Sequence, residues 1–292
     1  MPALAPESVS AIFNLPTPDG GFEGAARLHL HQLGKKRPVV LLAFPPKAAG
    51  TYFRTAVVYA VNGQLMRVVH ALGGRDGSLY LPTFVNYYSG GLTPYTMVGH
   101  VHMQGLPANI HFLESFGIRP IVMMRSIPDM LASYWDMLES DPESRKDGLN
   151  CLIPENFLEM PHETKADFLV DILGPWYVSF FASWFRYAEQ RSDRACILRY
   201  RDFREKPVET LMRAVAHAGL ARTREACREA LDKAWEVRGE CRFNKGENGR
   251  GAGYFTAEHV ERLARMMAPY RSLDAHRGEL LAFTPQILAQ AV

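Results

Sequence analysis

The stretch Phe44-Pro45-Pro46-Lys47-Ala48-Ala49-Gly50-Thr51-Tyr52 places a lysine and small residues between two apolar segments. The preceding run, Val39-Val40-Leu41-Leu42-Ala43, reads as a buried strand, and Phe53 to Val61 reads as a helix. Small residues in such a strand–turn–helix junction let backbone N–H groups approach a ligand closely. A helix N-terminus favours negative charge, so the junction suits a phosphate. It is not the nucleoside-triphosphatase loop: G-x-x-x-x-G-K-[ST] occurs nowhere, and here the lysine precedes the glycine. A second junction runs from the apolar strand Ile121-Val122-Met123-Met124 through Arg125-Ser126-Ile127-Pro128-Asp129 into a helix. Ser126 fits an N-cap, with Asp129 three residues on and Pro128 in the first turn. Arg125 ends the strand, and Ser133 follows eight residues later on the helix. A guanidinium can grip phosphate oxygens in pairs, and serine supplies a compact hydroxyl donor.

Together the two junctions resemble the sulfotransferases that use 3′-phosphoadenosine 5′-phosphosulfate (PAPS). The resemblance implies that Pro46, Lys47, Ala48, Ala49, Gly50, Thr51 and Tyr52 bind the 5′-phosphosulfate side of that cofactor. It also implies that Arg125 and Ser133 bind the 3′-phosphate. Two later segments extend it. Ile197-Leu198-Arg199-Tyr200-Arg201-Asp202-Phe203, with Pro207 shortly after, is similar to the family's L-x-Y-E-D-L…P segment, whose tyrosine lies near the adenine. Phe243-Asn244-Lys245-Gly246-Glu247-Asn248-Gly249, then Tyr254-Phe255-Thr256, is similar to its R-K-G-x-x-G…F-T loop, which closes over the 3′-phosphate. The four motifs occur in order from residue 44 to residue 256. There are departures: Ala48-Ala49 replaces a Ser-Gly pair, Tyr52 stands where a tryptophan often stacks on adenine, and Asn244 replaces an arginine.

Sulfuryl transfer builds negative charge on the leaving phosphate oxygen. An ammonium fixed beside that oxygen stabilises the transition state more than the ground state, and Lys47 is the candidate. His100 and His102 lie two apart on the strand-like segment 96–102 and therefore face one side. The resemblance puts the catalytic histidine at the end of this strand, which favours His102 as the base, with His100 structural or substrate-orienting. Two histidines at this spacing also permit a metal reading, but no third ligand is suggested, so no metal is expected. The stripe Tyr177, Phe180, Phe181 and Trp184 has helical spacing and is weighted toward core packing over an apolar acceptor pocket. Tyr87 and Tyr88 are looser acceptor-pocket candidates.

Strand-like and helix-like segments alternate at 38–44, 51–63, 96–101, 106–117, 119–124, 128–139, 195–200 and 207–218, and 257–268 reads as a late helix. The expectation is one α/β domain over 38–292, with a central, mostly parallel sheet flanked by helices, after a lead-in at 1–37. A turn-rich, charged stretch within 140–174 reads as a lid or insert. The chain has 292 residues, 47% hydrophobic and 22% charged, as a soluble globular protein does. A net charge of +2 gives no whole-chain pull toward nucleic acid. Apolar runs of about six residues fall short of a membrane span, and no signal peptide is read in Met1 to Gly20. Cys151, Cys196, Cys227 and Cys241 lack C-x-x-C spacing and suit reduced thiols in the cytoplasm. The resemblance implies transfer from PAPS to an acceptor hydroxyl, or less readily an amine, with adenosine 3′,5′-bisphosphate (PAP) as product. The rivals are a kinase-like phosphotransferase and a non-catalytic nucleotide-binding relative. Acceptor identity and any homo-oligomer are left open.

Overall fold

The computed structural model describes residues 32, 37–69, 79–88, 94–145, 151–241 and 248–283. Among the described residues five strands carry the fold: β1 (Val39–Ala43), β2 (Gly63–Met66), β3 (Thr96–Val101), β4 (Ile121–Met124) and β5 (Cys196–Arg199). They pair in the order β2-β3-β1-β4-β5, and every pairing is parallel. The central strands β1 and β4 are buried along their whole length, as their unbroken apolar sequences require once helices cover both faces. The α/β domain with a parallel sheet is as the alternation implied.

Helices α1 (Gly50–Val61), α2 (Leu81–Tyr88) and α3 (Pro107–Ser115) lie between the first four strands, and α4 (Ile127–Ser140) follows β4. Helix α1 ends two residues before the expected 63, because Asn62 turns left-handed (φ 48°, ψ 51°) and releases the chain into β2. That strand escaped the sequence pattern because Gly63-Gln64-Leu65-Met66 is a short, largely exposed edge with no apolar alternation. Within the stretch read as a lid, α5 (His162–Phe168) runs through one π-type turn (Leu169–Leu173) into α6 (Gly174–Gln190). By length and composition, residues 162–190 could cross a membrane, yet 67% of the most apolar window is buried within the protein. Tyr177, Phe180, Phe181 and Trp184 are wholly buried there, so the aromatic stripe is core. Tyr87 and Tyr88 are core too: the Tyr87 hydroxyl donates to the Pro38 carbonyl (3.2 Å), and the Tyr88 ring stacks on Phe116.

After β5 come α7 (Tyr200–Glu205), α8 (Pro207–His217), α9 (Arg224–Glu236) and α10 (Ala257–Met267). Helix α9 packs along α1. Its apolar face is only Cys227, Ala230, Leu231 and Ala234 in an otherwise charged sequence, which is why it did not stand out as an element.

Candidate active site at the carboxyl end of the sheet

Parallel strands deliver their carboxyl ends to one edge, and ligands of such sheets bind where neighbouring connections leave in opposite directions. The chain leaves β1 toward β2 on one side and leaves β4 toward β5 on the other. The crevice therefore opens between the turn after β1 and the residues after β4. Those are the two junctions of the sequence.

The turn after β1 is tight. Lys47 and Ala49 both adopt left-handed backbone (φ 66° and 61°). Ala49 caps α1 without a side-chain hydrogen bond, and no acidic residue occupies the first turn. The first-turn N–H groups have no intrahelical acceptor, and the first α1-type bond runs from Phe53 N–H to the Ala49 carbonyl (3.0 Å). The turn is held from below by the buried Tyr177 hydroxyl, which donates to the Pro46 carbonyl (3.2 Å).

Arg125, 7% exposed, binds the two junctions together. Its Nη1 donates to the Lys47 carbonyl (2.6 Å), and its guanidinium lies 4.2 Å from the centroid of the Tyr200 ring, the first residue of α7. Burial pulls its pKa below the ordinary guanidinium value, and the Tyr200 and Asp129 groups work in the opposite direction. Ser133 is buried two turns into α4. Ser126 accepts from the Asp129 N–H (3.4 Å) as the expected N-cap, and its hydroxyl donates to the Ala282 carbonyl.

His100 is the fifth residue of β3, in register with Leu42 of β1, and His102 follows the strand end. Their rings meet edge to face at 5.4 Å. His100 is buried against Phe44 and the first residue of α1. A Cβ on Gly50 would come within 2.6 Å of His100 Cε1 and closer still to Nε2. The loop after His102 is pinned to α6. The Met103 carbonyl accepts from Trp184 Nε1 (3.0 Å), the Gly105 N–H donates to Ser183 Oγ (2.9 Å), and Ser179 Oγ donates to Gln104 Oε1 (2.9 Å). A Cβ on Gly105 would press on the Trp184 ring at 3.0 Å. Trp184 of the buried stripe, with Ser179 and Ser183 beside it on α6, thus fixes the backbone that follows His102, a role that the stripe's spacing alone did not reveal.

Tyr52 is half-buried, and its ring meets Phe203 (5.9 Å) and Trp235 (6.1 Å, edge-on). Trp235, 47% exposed at the end of α9, went unnoticed in the sequence. An exposed tryptophan beside a turn aromatic is the available signal, and only the packing of α9 on α1 brings the pair together. Asn244, Lys245 and Gly246 lie outside the described residues. The structure therefore gathers Lys47, Ala48, Ala49, Gly50, Thr51, Tyr52, His100, His102, Arg125, Ser133 and Tyr200 along one edge. Among the described residues, no group of three or more His, Cys, Asp and Glu side chains is placed to hold a metal ion.

This architecture is the sulfotransferase fold. Mouse sulfotransferase SULT7A1, solved with PAP, superposes with a TM-score of 0.59 at 12% identity, over 91% of this chain and 94% of that one. Retinol dehydratase solved with retinol and PAP gives 0.45 at 13% identity, over 92% and 86%. Its complex with androsterone and PAP gives 0.43 at 13%, over 90% and 83%. No family model matches the sequence, and no curated protein matches it.

Proposed function

We propose that the chain is a PAPS-dependent sulfotransferase acting on an acceptor hydroxyl, with an amine as the less favoured acceptor. The observation that carries this reading is the Arg125 to Lys47 carbonyl bond (2.6 Å) at the β1/β4 crevice. It joins a left-handed, small-residue turn at a helix N-terminus to a buried arginine eight residues before a buried serine. One anion site suits a 5′-phosphate group and the other a 3′-phosphate. Gly50 supports the fit, since its missing Cβ leaves helix and strand in close approach at the turn.

When bound, PAPS supplies a sulfuryl group activated by its anhydride link to phosphate. In this reading the N–H groups from Ala48 to Tyr52 hold the 5′ side, and Arg125 and Ser133 hold the 3′-phosphate. Tyr52, Tyr200 and the neighbouring Trp235 side the adenine. Lys47 offers its ammonium to the oxygen that gains charge, where low local dielectric makes a fixed cation most effective. His102, held by its pinned loop, takes the proton of the acceptor hydroxyl. His100 walls the turn and orients His102. Asn244, Lys245 and Gly246 are assigned to the 3′-phosphate side by resemblance alone. Cys151, Cys196 and Cys227 carry reduced thiols, which suits a cytoplasmic enzyme.

The test is transfer of label from sulfur-labelled PAPS to a panel of phenols, aliphatic alcohols and amines, with PAP release measured alongside. Labelled product with stoichiometric PAP is expected. Failure of every acceptor class, together with Mg²⁺-dependent turnover of ATP, would replace the reading with a phosphotransferase.

A further inference from the structure

Asp129, Ser133 and Asp136 stand at i, i+4 and i+7 on α4 and share one face. The segment 249–254 is fastened to that face on both sides of Ser133. Before it, Asp129, 2% exposed, accepts from the N–H groups of Gly249 (2.9 Å) and Gly251 (3.0 Å). Gly251 lies so close to α4 that a Cβ would come within 2.6 Å of Pro128 Cβ. Beyond Ser133, Asp136 pairs with Arg250 and accepts from the Tyr254 hydroxyl, whose ring stands edge-on to Trp135 at 5.3 Å. The anchors are about 10 Å apart along the helix at 1.5 Å per residue.

The side chain of Arg250 is 8% exposed, although it sits in a segment with exposed neighbours. Asp136 engages Nη2 of a guanidinium that carries five donors. Arg250 is also near enough to Arg125 to act on its charge: burial first, and Arg250 in smaller part, lower the Arg125 pKa. Two buried guanidiniums, Arg125 just before α4 and Arg250 on the segment fastened to the face of α4 that carries Ser133, thus lie within charge range of each other.

We propose that Arg250 is a second arginine of the 3′-phosphate site, aimed by Asp136 and acting with Arg125 and Ser133. This rests on the cofactor reading above. Asp136 is a positioning residue: it holds one edge of the guanidinium so that the other donors remain for phosphate oxygens.

Calorimetry with PAP and 5′-AMP on the intact chain tests this. Arg250→Ala is expected to lower PAP affinity about ten- to a hundredfold while leaving 5′-AMP unchanged, as for a lost charge-assisted contact. Arg250→Gln, which keeps the stem and a single amide, should lose affinity in the same direction and serves if the alanine variant does not fold. Asp136→Ala should lower PAP affinity in the same direction but by less than Arg250→Ala, because the guanidinium remains and is no longer aimed, and 5′-AMP affinity should again be unchanged. A wild-type PAP/5′-AMP ratio in the Arg250 variants overturns the inference alone. So does an equal loss of PAP and 5′-AMP affinity in the Arg250 variants, which would make Arg250 only a fastener. Equal binding of the two nucleotides by the wild-type chain removes the cofactor reading and this inference with it.

Discussion

Gly50→Ala should damage the site through one side chain, His100. The new Cβ would sit 2.6 Å from His100 Cε1, about 0.8 Å inside the 3.4 Å where ordinary van der Waals contact begins. The ring has little freedom to retreat, since it stands edge-on to Phe44 (6.1 Å) and to His102 (5.4 Å). Overpacking of this kind costs ~1–3 kcal/mol. Gly50 is the first residue of α1 and its φ is not left-handed, so alanine is conformationally welcome there. Helix propensity then returns up to ~1 kcal/mol, leaving a net loss on the order of 1 kcal/mol. In a His100→Ala background the obstacle is gone, and the same change should be neutral or stabilising. A double-mutant cycle of denaturation midpoints should therefore give a coupling of ~1–3 kcal/mol between positions 50 and 100. An equal cost in both backgrounds would refute the argument that Gly50 is small because His100 is there.

Other outcomes follow from the same geometry. Lys47→Ala should lower kcat by roughly 10² or more, as for a lost transition-state donor, and the fold should survive because a turn lysine carries little core packing. An active Lys47→Ala enzyme would remove that ammonium from the mechanism. His102→Ala should abolish most transfer and the ascending limb of the pH–rate profile while PAP binding persists, and His100→Ala should be milder. A dead His100→Ala beside a near-normal His102→Ala would exchange the two roles. Burial, then the Arg119 charge, holds the His217 pKa below its usual 6.5 in the folded chain. On acidification the unfolded chain takes up that proton first, so stability present above pH 6.5 is lost as the pH falls below it. Denaturation midpoints should decline on this account, and His217→Gln should flatten the decline.

The central sheet was legible because β1 and β4 are buried on both faces and must be written as unbroken apolar runs. The two junctions were legible because tight turns and helix starts restrict residue types at fixed offsets, as Ser126, Pro128 and Asp129 illustrate. The edge strand β2 and helix α9 were not, because each carries too little apolar sequence to show a period. Distance in sequence hid the rest. Asp136 and Arg250 are 114 residues apart, and neither belongs to a motif. Tyr52 and Trp235 meet only because α9 lies along α1. Nor does helical spacing tell that Tyr177 and Trp184, besides filling the core, tie down the turn at Pro46 and the loop at Met103 with their polar atoms.

Calorimetric titration of the wild-type chain with PAP and with 5′-AMP tests the central claim most directly, because it needs no acceptor and isolates the 3′-phosphate. With Arg125 and Ser133 in charge-assisted or hydroxyl contact with that group, PAP should bind at least about tenfold more tightly. Equal affinity for the two nucleotides would contradict the account.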